Sequence, residues 1–145
     1  MADTPGAPPP LWTTSSHIGS AVLAADPVGA RIEAAAAAAP FVTIDINARE
    51  PSIKDAGAYR ARLRRIGALS GVVKASVVDI GTIGEGDPEA YMQSLVSSGA
   101  ALAVLTAAEE GAFAFTDETA VRLPSAAHHV VDPVGAGDSF MAALL

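Results

Sequence analysis

The chain has 145 residues, 50% of them apolar, with a mean hydropathy of +0.36; that is enough for one packed domain and excludes a disordered polymer. Sixteen acidic residues against nine basic ones give a net charge of −7, which excludes a broad electrostatic footprint for nucleic acid or an anionic membrane, so any phosphate must be met by local donors. There is no cysteine, which removes disulfides, thiolate metal sites and cysteine nucleophiles and fits a cytoplasmic protein.

The first ten residues, MADTPGAPPP, read as a disordered lead-in, with neither the basic start nor the apolar run of a secretory signal; residues 11–145 are expected to form the domain. Asp26 and Pro27 open a helix that the alanine run carries to Pro40, and FVTIDI follows as a strand. Glu33, Pro40 and Asp45 interrupt that apolar window, so it cannot supply a membrane span. Asp55 caps a second helix to about Ser70, with Tyr59, Leu63, Ile66 and Leu69 at helical spacing and Arg60, Arg62, Arg64 and Arg65 read as a solvated face.

GVVKAS reads as a short buried strand, and DPEAYMQSLVSSG as a third helix that repeats the Asp-Pro opening and ends on glycine. ALAVLT, AFAFT, AVRLP and HHVVD then read as strands ahead of a closing helix. Neighbouring His128 and His129 would point to opposite faces of their strand, so they are not a metal pair, and Glu109 and Glu110 are turn charges. Alternation of strands and helices followed by a cluster of strands predicts an α/β layered fold with a largely parallel sheet.

The closing VVDPVGAGDSFMAALL carries the clearest chemistry. A glycine-rich turn entering a helix exposes backbone N–H groups at the positive helix end, and Gly135 and Gly137 let an anion approach the main chain. Asp138 has two readings: a helix-start carboxylate favoured by the dipole, or a base that takes a proton from an attacking hydroxyl. The turn is not a Walker A loop, because no Gly-Lys-Ser/Thr follows, and Phe140 stands where a dinucleotide fingerprint has its third glycine.

DPVGAGDSFMAALL resembles the C-terminal signature of the PfkB/ribokinase family of carbohydrate kinases, and other stretches agree with it in order and spacing. DINAR is similar to the family's Asp-Pro-Asn-x-Arg segment, carrying Asp45, Asn47 and Arg49. VVKASVVDI resembles the segment with Lys74, Ser76 and the acidic Asp79, and LTAAEEGAFAF resembles the nucleotide loop, with Thr106 and Gly111 matching. HIGSAVLAADPVG is similar to the segment that precedes the Asp-Asn-Arg strand. The sequence departs from the pattern at Ala108, where the family loop has its first glycine, at Ile46 in place of proline and at Pro133 in place of threonine.

The resemblance implies a ribokinase-like three-layer αβα (Rossmann-like) sandwich, and ATP-dependent transfer of a phosphoryl group to a sugar hydroxyl in the manner of a fructokinase. Asp138 would be the base, and the N–H groups of Gly135, Ala136 and Gly137 the anion hole. Asn47, Arg49, Lys74, Ser76, Thr106 and Gly111 would meet the nucleotide and its phosphates, and Asp79 would stand near Mg²⁺ through water. ATP, Mg²⁺ and a monovalent cation are the implied cofactors, with a nucleotide and a small sugar as partners and neither nucleic acid nor membrane. No stretch resembles the family's sugar-binding half, and the chain ends within the signature helix. The expectation is therefore an incomplete fold that turns over little sugar alone. The alternative is an inactive remnant that binds nucleotide weakly or associates with another chain through uncovered sheet and helix surfaces.

Overall fold

A computed structural model describes residues 15–126, 132 and 134–145, with only the backbone described at 20 and 21. The expected lead-in and the HHVV part of the last expected strand lie outside the described residues. Among the described residues six strands form one sheet in sequence order: β1 (Ser16–Gly19), β2 (Val42–Asp45), β3 (Val72–Ser76), β4 (Leu102–Thr106), β5 (Ala112–Phe115) and β6 (Ala120–Leu123). The first four run parallel and the last two antiparallel, with Asp45, Lys74 and Val104 in one cross-strand row. Five α-helices accompany them among the described residues: α1 (Val28–Ala38), α2 (Ala56–Ala68), α3 (Val77–Thr82), α4 (Pro88–Ser97) and α5 (Ala136–Leu144).

The helix starts follow from short acceptor side chains. Asp55 accepts from the Ala58 N–H at 2.9 Å to cap α2, and Asp87 accepts from the Glu89 and Ala90 N–H groups with Pro88 in the first turn of α4. Asp26 accepts from the Ala30 N–H, but the cap position of α1 is Pro27, one residue later than expected. Two short elements were absent from the expectation. β1 buries only Ile18 among its four residues, and the six-residue α3 is capped by Ser76, inside the motif that reads as chemistry.

Alternation along the strands assigns Ile18, Val42, Ile44, Val73, Ala75, Ala103 and Leu105 to one face. Tyr59, Leu63 and Ile66 of α2 and Tyr91, Met92 and Leu95 of α4 pack on that face and close the main core. Lys74 and Val104 belong to the opposite face, where Gly137 of α5 meets Lys74 and Met141 is buried, so helices lie on both sides of a mixed, mostly parallel sheet.

The arginine face of α2 is solvated only in part: Arg64 and Arg65 are exposed as expected, whereas Arg60 is half-buried and Arg62 buried. Arg62 is buried, donating to Asp26, Glu33 and the Leu23 carbonyl, while Arg60 donates to the Ile83 carbonyl. Arg64 pairs with Glu85 and Arg65 with Glu33, whose carboxyl is held below its ordinary range chiefly by the Arg65 hydrogen bond. Helical periodicity shows which way a side chain points and not what packs across from it. These arginines therefore form a seam between α2, α1 and the turn after α3.

The loop from Thr106 to β5 depends on one glycine. Gly111 has φ +95°, and a Cβ there would stand 2.0 Å from the Leu123 carbonyl oxygen and 2.7 Å from the Ser125 nitrogen. Gly111→Ala is expected to destabilise the chain by about 1–3 kcal/mol from backbone strain, with the clash adding to it, read as a lower urea midpoint at unchanged slope.

Candidate active site

β2, β3 and β4 end on Asp45, Ser76 and Thr106, and because these strands are parallel all three residues stand at the same end of the sheet. In open α/β sheets this is the end where ligands are held. Ser76 and Thr106 are partners in the β3–β4 register, and the Thr106 hydroxyl donates to the Ala75 carbonyl at 3.4 Å.

Immediately beyond β3, Ser76 and Asp79 close a reciprocal capping box. The Asp79 N–H donates to Ser76 Oγ at 3.1 Å, and Asp79 Oδ2 accepts from the Ser76 N–H and hydroxyl, both at 2.7 Å. Asp79 Oδ1 accepts from the Ala48 N–H at 2.8 Å, which ties the loop carrying Asn47 and Arg49 to the end of β3. Asn47 adopts φ +33°, a left-handed conformation that asparagine tolerates; Arg49 is exposed. Near this clamp the Tyr59 hydroxyl donates to the Ile46 carbonyl, and burial, reinforced by the negative charge of Asp79, pushes its phenol up to about 12.

With three donors on its carboxylate and 6% of its surface exposed, Asp79 keeps little capacity for a direct metal bond. Among the described residues no group of three or more His, Asp or Glu side chains is placed to hold a metal ion. If Mg²⁺ is held here, Asp79 would meet it through a water molecule rather than directly.

Lys74 and Asp45 form a buried ion pair at 2.8 Å, each side chain only 5% exposed. The Lys74 ammonium also lies against α5: a Cβ placed on Gly137 would be 2.9 Å from Lys74 Nζ. Gly137 is therefore a position of close approach, and the first turn of α5 meets the centre of the sheet there. Gly135 takes the cap position with φ +78°, and Asp138, in the first turn, is exposed.

The geometry thus brings together Lys74 with Gly137, Ser76 with Asp79, and Thr106 beside Ser76. Asn47 and Arg49 join them through the Ala48 amide, whereas Asp138 makes no side-chain hydrogen bond within the described residues. The Gly111 N–H is taken by the Ala108 carbonyl, so this glycine shapes its loop rather than offering a donor. Ala108 has φ +45°, the region where the family's glycine costs nothing and alanine is strained. Two groups carried no role in the sequence reading. The Ala48 amide has no side-chain signal, while Asp45 was visible in DINAR but only tertiary structure pairs it with Lys74.

Fold and site define an α/β protein in which a glycine turn and a helix N-terminus meet a mostly parallel sheet beside the carboxyl ends of its strands. The description "pfkB family carbohydrate kinase" matches residues 14–145, and the chain belongs to that family. It is 38% identical over 133 residues to a fructokinase of Rhizobium leguminosarum bv. trifolii and 30% identical over 135 residues to fructokinase-2 of Oryza sativa subsp. japonica. Each alignment covers 89% of this chain, and the chain spans 41% and 40% of those relatives. Among solved structures, fructokinase from Vibrio cholerae O395, described with fructose, ADP and calcium ion, superposes with TM-score 0.77 at 27% identity, covering 90% of this chain and 44% of that one. Aminoimidazole riboside kinase from Salmonella enterica superposes equally well, at 0.77 and 24% identity, over 90% of this chain and 46% of its own, which supports the ribokinase-like fold.

Proposed function

We propose that this chain supplies the phosphate side of a fructokinase-like sugar kinase, within which a phosphoryl group passes from ATP to a sugar hydroxyl. The observation that carries the reading is the apposition of Gly137 and Lys74, which sets a helix N-terminus and an ammonium side by side at the strand ends. In this reading residues 11–145 belong to the kinase domain, and the N–H groups of Gly135, Ala136 and Gly137 stabilise the charge that develops on the transferring phosphoryl oxygens. Asp138 accepts the hydroxyl proton as the new O–P bond forms and the bond from the γ-phosphorus to the bridging oxygen breaks, leaving ADP.

Lys74 and Arg49 meet phosphate charge, Ser76, Asn47 and Thr106 offer polar contacts to the nucleotide, and Gly111 holds the loop that borders it. Asp79 orients the strand end and reaches Mg²⁺ through water; the ion neutralises phosphate charge when bound. A monovalent cation also belongs to the proposal, prompted by a double-mutant form of the Vibrio fructokinase described with fructose, ADP and potassium ion. Small sugars are the proposed acceptors, with fructose first on the strength of the fructokinase relatives.

The test is a coupled ADP-release assay on a panel of hexoses and pentoses, with and without Mg²⁺, on this chain joined to the part of the rhizobial relative that the alignment leaves uncovered. Fructose-stimulated, Mg²⁺-dependent ADP release supports the reading. Stimulation by non-sugar acceptors, with none by any sugar, contradicts it. No helix among the described residues is long and apolar enough to cross a membrane.

A further inference from the structure

The Asp45–Lys74 pair asks why an acid should stand beside a site for anions. Buried ion pairs return little net stability, because desolvating both charges offsets their attraction; burial of this one therefore points to placement rather than to strength. Two further observations agree. Asp45 Oδ1 is buried with no hydrogen-bond partner, so among the described residues the only partner of the carboxylate is Lys74. An ammonium has three N–H donors, and Asp45 takes one, which leaves donors for a ligand.

Without Asp45, nothing else in the described hydrogen-bond network would fix the flexible four-carbon stem of Lys74. With it, Nζ is held where a Gly137 side chain would begin. The row Asp45, Lys74 and Val104 lies directly across β2, β3 and β4, so the pair spans neighbouring strands at fixed spacing. Asp45 precedes Ile46, whose N–H donates to the Lys74 carbonyl at 2.9 Å, so a main-chain bond from the next residue fixes the end of β2 against Lys74 beside the side-chain pair.

We infer that Asp45 is the positioning residue of this site: its carboxylate fixes the Lys74 ammonium against the first turn of α5, so that ammonium and helix amides receive one polyphosphate together. The ligand half of this inference rests on the kinase reading; the positioning half does not. Glycine at position 137 is then required by the pair, since a methyl group there would drive Nζ away from its place. Asp45 acts through Lys74 and touches no substrate.

Two readouts on the full chain test it, using Asp45→Asn, Lys74→Met and the double variant D45L/K74M. The double variant removes both charges and keeps apolar volume, so it preserves a folded protein where a single variant does not. In ¹H–¹⁵N spectra the Gly137 amide should move in Asp45→Asn and in the double variant as it does in Lys74→Met. Inorganic tripolyphosphate and ATP should bind the double variant roughly tenfold to a hundredfold more weakly than the wild type, as expected for loss of charge-assisted hydrogen bonds. A Gly137 amide unmoved by both Asp45 substitutions overturns the inference. So does unchanged tripolyphosphate affinity in the folded double variant, with the kinase reading left standing. A wild-type chain that binds neither polyphosphate overturns both.

Discussion

On the proposed reading of Asp138 as the base, Asp138→Ala is expected to lower kcat for phosphoryl transfer by roughly 10²–10⁴-fold while changing the KM for ATP little, because a positioned general base acts in the transition state rather than in nucleotide binding. The measurement is steady-state ADP release on fructose by this chain. Where its rate falls below detection, the chain is joined to the part of the rhizobial relative that the alignment leaves uncovered. The exposed first-turn position of Asp138 makes a fold defect an unlikely source of the loss, and circular dichroism of the variant should match the wild type. A proportionate rise in KM with kcat intact would instead assign Asp138 to binding.

Lys74→Met costs about 3–5 kcal/mol of stability, because it leaves the Asp45 carboxylate buried and uncompensated with both oxygens lacking a partner. D45L/K74M recovers most of that loss, since neither charge remains to be desolvated. Urea unfolding of the wild type and the two variants gives all three values in one experiment. If the single and double variants lost the same stability, the pair would be an ordinary packing element and its charges irrelevant.

Much of the architecture was legible because local chemistry announced it. Asp55 and Asp87 cap helices where the sequence placed them, and the strand runs around Val42, Val73, Ala103 and Phe113 fall in the sheet. β1 escaped because it buries a single apolar side chain, and α3 because its capping box doubles as a motif. Arg62 was misread because its partners, Asp26 and Glu33, come from another helix and its preceding turn, which the periodicity of α2 cannot reveal.

The candidate site was legible as a set of residues and not as an arrangement. Gly135 to Asp138 signal an anion turn by their own chemistry, and Ala108 proved to need the positive φ that its departure from glycine had flagged. That Lys74 lies against Gly137, or that Asp79 also accepts from the Ala48 amide, depends on how β2, β3 and α5 meet. Such contacts join positions far apart in the chain and leave no periodic trace.

The central claim is that the strand ends and the first turn of α5 form one polyphosphate site. Titration of ¹⁵N-labelled chain with ATP and Mg²⁺, followed by amide shifts, tests it most directly. The account predicts saturable perturbation of Gly135, Ala136, Gly137, Asn47, Ser76 and Thr106 with a single affinity. Saturable shifts confined to the groove between α4 and the β5–β6 hairpin, around Gln93, Ser97 and Thr116, with the α5 turn unmoved, would contradict it.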